Sequence, residues 1–400
     1  VTQRKRTTTI RREGWYYLFV LAFVLTGAIL REINLLMVLA GMMIGPLLVN
    51  WRMAVAALRN IDVRRTLPEA VHAGDVLAVQ IEIANSNRRQ GANAVAVDDV
   101  TRVGNDVTRV GGPAEGRRVS GGGVLFAHVA AGQSSSAVYR GRPKRGLWRF
   151  GPLKVSTSFP LGFIRRTITL REQAEVIVYP KLGKLTRKFE ELQNRVHSDG
   201  SRSRQRRGLT EGDFYGLRDW RSGDSQRWIH WRTSARTGKL AVRQFEERQH
   251  DDLTLIVDLW SPAEPAEEFA ERVEQLLSFA ATIVAEHCRR GSSRLLLAVG
   301  GTQRAIAHGT TSPALLREAL GHLALSQPSS ERRLGELLSE SFKQSHHRKN
   351  VLLLSTGRPD IENDSALATL RRDPKWADTL HHLQCPDLTD GRLLEYFDVE

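Results

Sequence analysis

Two apolar runs, Trp15 to Leu30 (WYYLFVLAFVLTGAIL) and Ile33 to Val49 (INLLMVLAGMMIGPLLV), stand near the start of the chain with only Arg31-Glu32 between them. Each is slightly shorter than the roughly 20 residues that cross a bilayer, and flanking residues make up the length. Neither run alternates in the manner of a helix with one wet face. Trp15, Tyr16 and Tyr17 at one end and Trp51 at the other are the aromatic types found at headgroup level. A cleaved leader fits poorly, because the second run follows the first with no small-residue cleavage pattern between them. The expectation is a tight hairpin of two transmembrane helices over 15–51. Arg4, Lys5, Arg6, Arg11 and Arg12 precede it, and Arg52, Arg59, Arg64 and Arg65 follow. Lys and Arg mark the cytoplasmic side, so 1–14 reads as a basic cytoplasmic tail and everything after residue 52 as cytoplasmic.

The remaining chain is long enough for two or three domains, and 41% hydrophobic with 26% charged residues is ordinary globular composition. A formal net charge of +14 favours contact with something acidic, and nucleic acid and anionic lipid both qualify. Cys288 and Cys385 are far apart and lack metal-site spacing, so neither a disulfide framework nor a zinc site is indicated, which suits a reducing cytoplasm.

Residues 60–180 read as a β domain. Asp75 to Ala84 (DVLAVQIEIA) alternates apolar with other residues, and further strands are expected at Ala94–Val100, Val124–Val129, Ser136–Arg140, Leu153–Thr157 and Ile164–Leu170. Short strands with Gly, Pro and Asn between them predict an all-β, immunoglobulin-like sandwich acting as adaptor or spacer. Gly104 to Gly123, rich in glycine and arginine, reads as a loop. Farther on the period changes. Strands at Leu253–Asp258, Ser293–Val299 and Asn350–Ser355 alternate with helices at Pro265–Arg289, Ser312–Leu325 and Glu331–Lys343, which predicts an α/β domain over 253–400 with a parallel sheet covered on both sides.

Between these lies the densest chemistry, Glu211 to Glu246 (EGDFYGLRDWRSGDSQRWIHWRTSARTGKLAVRQFE). Seven Arg/Lys alternate with five acids and three tryptophans, a mixture too costly to bury unless the charges pair. Ser222-Gly223-Asp224 has the chemistry of a turn followed by an N-cap, predicting a helix from Ser225 to about Thr237 that ends at Gly238. On it Trp228, Trp231 and Ala235 share a docking face, while Arg232 and Arg236 project together.

Leu217-Arg218, Trp220, Gly223-Asp224, Arg227, Ile229-His230-Trp231, Ser234-Ala235-Arg236, Gly238 and Leu240 follow a fixed order that resembles the signature of the domain of unknown function 58 family. Arg145-Gly146-Leu147, Gly151-Pro152-Leu153, Phe159-Pro160-Leu161-Gly162 and Val178-Tyr179-Pro180 look like its upstream landmarks. The resemblance implies a protein of the bacterial inner (cytoplasmic) membrane with a von Willebrand factor A-like, Rossmann-type domain at 253–400. It also implies a partner, an AAA+ ATPase of MoxR type, in protein maturation or envelope processes.

Such domains hold a divalent cation through Asp-x-Ser-x-Ser at a strand end, since a hard cation needs several oxygen ligands. Here the positions read Asp258-Leu259-Trp260-Ser261-Pro262, so two oxygen ligands are lost. Asp258 and Ser261 remain weak candidates for a cation such as Mg, and the expectation is no metal and no cofactor. His346-His347 and His381-His382 are adjacent pairs, unlike the i, i+4 spacing that chelates zinc on a helix. There is no Gly-x-Ser-x-Gly elbow and no Gly-Lys-Ser/Thr phosphate loop.

The basic run Lys181 to Arg207, nine Lys/Arg against three acids, reads as a basic linker over 181–210 followed by the signature segment at 211–252. Beside an anionic membrane each of its charges contributes about 1 kcal/mol. Nucleic acid is the rival ligand, with Trp220, Trp228 and Trp231 as stacking platforms, but no nucleic-acid fold accompanies the run. The reading is thus a membrane-anchored, non-enzymatic scaffold without catalytic residues, in which Arg218, Asp224, Arg227, Trp231 and Arg236 hold the signature segment. One alternative is a tethered binder of nucleic acid or anionic lipid. The other is a hydrolase using Asp219, Asp224 and His230, whose carboxylates would be kept ionised by the neighbouring arginines.

Overall fold

The computed structural model describes residues 4–87, 90–103, 118–119, 122–191, 213–222, 224–246, 252–262, 268–291, 293–331, 334–344, 351–357, 383–384 and 393–398. The chain forms two compact units, Val1–Tyr179 and Pro180–Glu400.

In the first unit strand β1 (Arg4–Ile10) leads into helices α1 (Arg12–Arg31) and α2 (Asn34–Ala57), followed by β2 (Ile61–Thr66), β3 (Val71–His72), β4 (Leu77–Asn85), β5 (Ala92–Val103), β6 (Arg118–Val119), β7 (Gly123–Val129), β8 (Ser134–Gly141), β9 (Gly146–Thr157), β10 (Ile164–Leu170) and β11 (Ala174–Tyr179). At 20 and 24 residues the two helices are about 30 and 36 Å long, enough for a hydrocarbon core of about 30 Å. Phe19, Phe23, Leu30, Leu35 and Met42 are all more than 70% exposed on them. Apolar surface turned outward to that extent is favourable only in an apolar surrounding.

The strands make two sheets. One has eight strands in the order β1-β10-β9-β11-β3, with β5 also on β9, and β6 and β7 on β5; the other is β2-β4-β8. Strict alternation in β4 turns Leu77, Val79, Ile81 and Ile83 inward and Ala78, Gln80 and Glu82 outward. Val63, Ile81 and Ile83 then share one core with Val97, Leu153, Val155 and Ile168 of the larger sheet, and Leu58, just past the end of α2, packs into it.

Residues 4–10, read above as part of a tail, form β1 and pair with β10 from Arg4 opposite Leu170 to Ile10 opposite Ile164. The β-branched run Thr7-Thr8-Thr9-Ile10 suits an edge strand, and its exposed Arg4, Lys5 and Arg6 discourage further pairing there. Arg65 also differs from expectation. It faces no headgroups but lies buried on β2, where Nη1 donates to Asp99 Oδ1 at 2.8 Å and to the Gly151 carbonyl at 3.2 Å, and Nη2 to the Glu172 carbonyl at 3.3 Å. The two side chains are 1% and 0% exposed. Tyr139 of β8 donates its hydroxyl to Asp99 Oδ2 at 2.7 Å, so the carboxylate on β5 of the larger sheet ties down two strands of the smaller one.

Burial first, and then the hydrogen bond to Asp99, push the Tyr139 phenol well above its ordinary value. An unfolded tyrosine ionises near about 10, whereas the folded one stays protonated past that point. The stability held by Tyr139 is therefore full below about pH 10 and falls by about 1.4 kcal/mol per unit above it. In urea titrations between about pH 9 and 11 wild type should lose stability more steeply than Tyr139→Phe, and parallel curves would show that Tyr139 ionises alike in both states.

In the second unit β12 (Lys184–Leu185) precedes β13 (Asp213–Asp219), α3 (Trp231–Thr237), β14 (Ala241–Glu246), β15 (Leu253–Asp258), α4 (Phe269–Arg290), β16 (Arg294–Gly300), β17 (Ala305–Thr310), α5 (Pro313–Leu325), α6 (Leu334–Gln344), β18 (Val351–Ser355), β19 (Leu383–Gln384), α7 (Leu393–Tyr396) and β20 (Phe397–Asp398). The five-stranded order is β17-β16-β15-β18-β19. Pairs β15–β16, β15–β18 and β18–β19 are parallel, as alternating strands and helices require, but β17 adds antiparallel to β16 and makes the sheet mixed. That edge strand (AIAHGT) is short and half polar, so it carries little strand signal. Helices α4 and α5 pack together, while α6 covers Ile256, Leu296, Ala298 and Leu353 through Leu334, Leu337 and Leu338.

Residues 181–191, the start of the expected linker, are folded. β12 pairs with β20, Ser278 on α4 donates to the Lys181 carbonyl, and the Phe279 ring lies 5.4 Å from Phe189 and 5.5 Å from Phe397. The rest of the basic run, 192–207, most of the loop at 104–123, and His346, His347, His381, His382 and Cys385 lie outside the described residues.

Candidate functional site

The signature segment is a two-stranded hairpin with a structured insert. β13 and β14 run antiparallel, Leu217 opposite Arg243 and Asp219 opposite Ala241. The single helix expected over 225–237 is instead broken in two: a 3-10 turn at Gln226–Trp228, then α3 from Trp231. The break lies at Ile229, extended (φ −65°, ψ 126°), which bridges Val242. Ile229 and Val242 are both buried, and seating this β-branched residue against β14 outweighs the one turn of helix it interrupts.

The capping roles shift with the break. Ser225 caps the 3-10 turn, and His230 caps α3, its Nδ1 accepting from the Thr233 amide at 3.3 Å with Thr233 Oγ1 at 2.8 Å. Ser234 joins α3 to the hairpin, donating to the His230 carbonyl at 3.1 Å and accepting from the Ala241 amide at 2.9 Å. Gly238 ends α3 with φ 68°, a conformation that costs any residue with a Cβ roughly 1 kcal/mol.

Asp224, expected as the helix N-cap, makes a clamp instead. Its Oδ2 and Oδ1 accept from Arg218 Nη1 at 2.6 Å and Nη2 at 2.7 Å, and Oδ2 also accepts from the Arg221 amide at 2.8 Å. The two side chains are only 9% and 27% exposed, so the bidentate fork is worth more than a solvated pair. The hydrogen bond to Asp224 holds the Arg218 guanidinium above its usual value. Of the residues assigned above to hold the segment, Arg218 and Asp224 pair with each other, whereas Arg227 and Arg236 are exposed, as is Arg232. Gly223 lies outside the described residues.

The tryptophans also differ from expectation. Trp231, which was to dock with Trp228 and Ala235, is 65% exposed, and Ala235 is exposed too; Ser234 is the residue that faces inward, held by its hydrogen bonds to His230 and Ala241. Trp220, Leu217 and Leu240 are exposed on the same hairpin. A rigid frame thus presents large apolar side chains among Arg221, Arg227, Arg232, Arg236 and Lys239. Nothing in the sequence marked Trp231 as outward, since a helix unbroken at Ile229 would have rotated it inward.

At the strand ends Asp258 Oδ2 accepts from Ser355 Oγ at 3.0 Å, and the Asp258 carbonyl accepts from the Thr356 amide at 3.1 Å. Ser261 Oγ turns to the Pro262 carbonyl at 3.1 Å. The Trp260 indole donates to the Ser330 carbonyl at 3.2 Å, and its ring lies 2.8 Å from where a Cβ on Gly357 would stand. An indole and a proline replace the two oxygen donors, and among the described residues no group of three His, Cys, Asp or Glu could hold a metal. This donor set does not fit a hard divalent cation. Asp219 is exposed, and the contacts of Asp224 and His230 are those of a clamp and a cap.

Residues 216–371 match the model of the family "Protein of unknown function DUF58". The chain is 24% identical over 159 residues to the uncharacterized protein YeaD of Bacillus subtilis (strain 168), across 40% of this chain and 37% of that protein. It therefore spans little more than a third of the length of that relative. Among solved structures it is similar to a β-glucosidase from Listeria innocua (19% identity, 30% of this chain and 16% of that one, TM-score 0.19). Another is the CARDB domain of the PF1109 protein from Pyrococcus furiosus in complex with di-metal ions (11% identity, 30% and 91%, TM-score 0.19). The matched segment contains most of the hairpin, its clamp and cap, and strands β15 to β18, and over these residues the chain is similar to the family of proteins of unknown function DUF58.

Proposed function

We propose that this protein is a non-enzymatic, membrane-anchored scaffold whose signature hairpin docks an acidic surface of an AAA+ ATPase of MoxR type, in protein maturation or envelope processes. In this reading α1 and α2 are the inner-membrane anchor, and the two packed sheets of the first unit are an immunoglobulin-like spacer facing the cytoplasm. The mixed sheet is a von Willebrand A-like domain that has lost its cation and works without a cofactor.

The observation that carries the reading is Trp231, 65% exposed on an element held by the Arg218–Asp224 fork and the Ser234 cross-link. A tryptophan kept in water costs apolar hydration, and rigid Trp and Arg side chains are the types that dominate protein interfaces. Asp224 engaged by three donors supports a structural role over acid-base chemistry.

Trp231→Ala should lower the ATPase captured with the membrane-extracted protein by about 30-fold, as a hot spot of about 2 kcal/mol requires, with stability nearly unchanged because the side chain is exposed. Undiminished capture of the ATPase by the variant, or none by the wild type, would defeat the reading.

A further inference from the structure

The turn between β9 and β10, Ser158 to Phe163 (SFPLGF), is bound to both membrane helices at a depth a soluble domain would not reach. The Arg11 amide donates to the Phe163 carbonyl at 2.9 Å, and the Phe163 ring stacks on Tyr17 at 4.5 Å. On α2 the Asn50 Oδ1, fully buried, accepts from the Ile164 amide at 3.1 Å. A Cβ on Gly14 would lie 2.3 Å from the Phe163 carbonyl oxygen, so the close approach requires glycine there.

The depth follows from helix geometry. Tyr17 is 14 residues before the end of α1 at Arg31, and Asn50 is 16 residues after the start of α2 at Asn34. At 1.5 Å per residue these lie about 21 and 24 Å from the connecting turn, inside the roughly 30 Å of a hydrocarbon core. Within that depth a backbone amide needs a protein acceptor, and Asn50 supplies one to Ile164. Leu161, 47% exposed at the tip of the turn, and the exposed Pro160 next to it then face lipid or headgroups beside the start of α1, where Trp15 and Tyr16 are 62% and 72% exposed. The turn itself is closed by the Gly162 amide on the Ser158 carbonyl at 2.8 Å, with Gly162 at φ 77°.

We infer that this turn is a third membrane-contacting element, which seats Leu161 and Pro160 in the interfacial layer of the bilayer beside α1. Its ligand class is phospholipid, met through apolar side chains rather than through a headgroup pocket. With β1 running directly into α1 and Leu58 locked into the core, the β unit is held against the membrane in one attitude rather than hung from it on a tether. The inference rests on the reading of α1 and α2 as membrane helices.

The test uses the full chain in vesicles of phosphatidylethanolamine and phosphatidylglycerol with acyl chains brominated near the headgroup. Single cysteines at Leu161→Cys, Phe23→Cys on α1 and Leu125→Cys on β7 carry a fluorophore, in a background of Cys288→Ala and Cys385→Ala. Leu161 should be quenched to at least half the extent of Phe23, and Leu125 not at all. An unaltered exchange rate of the Ile164 amide reports that the turn keeps its seat in the variant. Quenching at Phe23 with none at Leu161 would overturn the inference and leave the anchor intact, whereas none at either position would overturn both.

Discussion

Asp99→Ala should destabilise the first unit by about 3–5 kcal/mol, since it leaves the Arg65 guanidinium buried with no counter-charge. Both groups are removed from water, and the remaining partners of Arg65 are two carbonyls, which solvate a cation but do not neutralise it. The Phe150 ring, 5.2 Å from the guanidinium carbon, adds a quadrupole attraction of only about 1–2 kcal/mol. Tyr139 loses its acceptor in the same substitution, adding an unsatisfied hydroxyl. Amide hydrogen exchange in the full chain is the suitable measurement, because two units need not unfold together. Protection of the β4 and β8 amides should fall by about two to four powers of ten, at 1.36 kcal/mol for each. The double change Arg65→Met with Asp99→Leu should restore most of it, as apolar replacement of a buried pair usually does. Protection unchanged in Asp99→Ala would show that solvent reaches the pair.

Asp224→Ala should be the most damaging single change in the signature hairpin, at about 2–3 kcal/mol. It removes a bidentate charge-assisted fork together with the acceptor of the Arg221 amide, in a loop that carries no other acidic side chain between Asp219 and Glu246. Exchange of the Arg221 amide and proteolysis at 220–230 should both accelerate, and capture of the partner should fall with them. Arg218→Lys keeps the charge and loses the fork, so it should recover only part of the stability. Arg227→Ala, by contrast, should stay within about 0.5 kcal/mol of wild type, because that side chain is exposed. Equal effects from Arg227 and Arg218 would contradict the clamp.

These two sites differ in how far the chain foretold them. The Arg218–Asp224 pair lies within six residues, in a block whose mixture of charges can be stable only if some of them pair, so the existence of a clamp was legible. Its partner choice was not. Arg227, three residues from Asp224, suits a continuous helix, and the helix breaks because Ile229 meets Val242 across the hairpin. The orientation of Trp231 follows from that same contact. Arg65 and Asp99 are 34 residues apart on strands of different sheets, and no local pattern separates Arg65 from Arg64 beside it, which is largely exposed.

Element positions with a strong period were readable to within a few residues: β15 at Leu253–Asp258, α5 at Pro313–Leu325, β10 at Ile164–Leu170. Those with mixed composition were not. β1 hides in a basic stretch, β17 in a half-polar one, and β12 at the head of a charge run, because edge strands and short ladders rest on backbone pairing rather than on side-chain burial.

Two long apolar helices near the start of the given chain, a β unit ahead of an α/β unit, and a family-like signature over 216–240 could all be read from the residues, since periodicity, length and residue order are local properties. Which arginine is buried, which tryptophan faces solvent, and that the β9–β10 turn is bound to both apolar helices emerge only from the folded chain. Each of these depends on contacts between segments distant in sequence, where burial and charge neutralisation override what the neighbouring residues would choose.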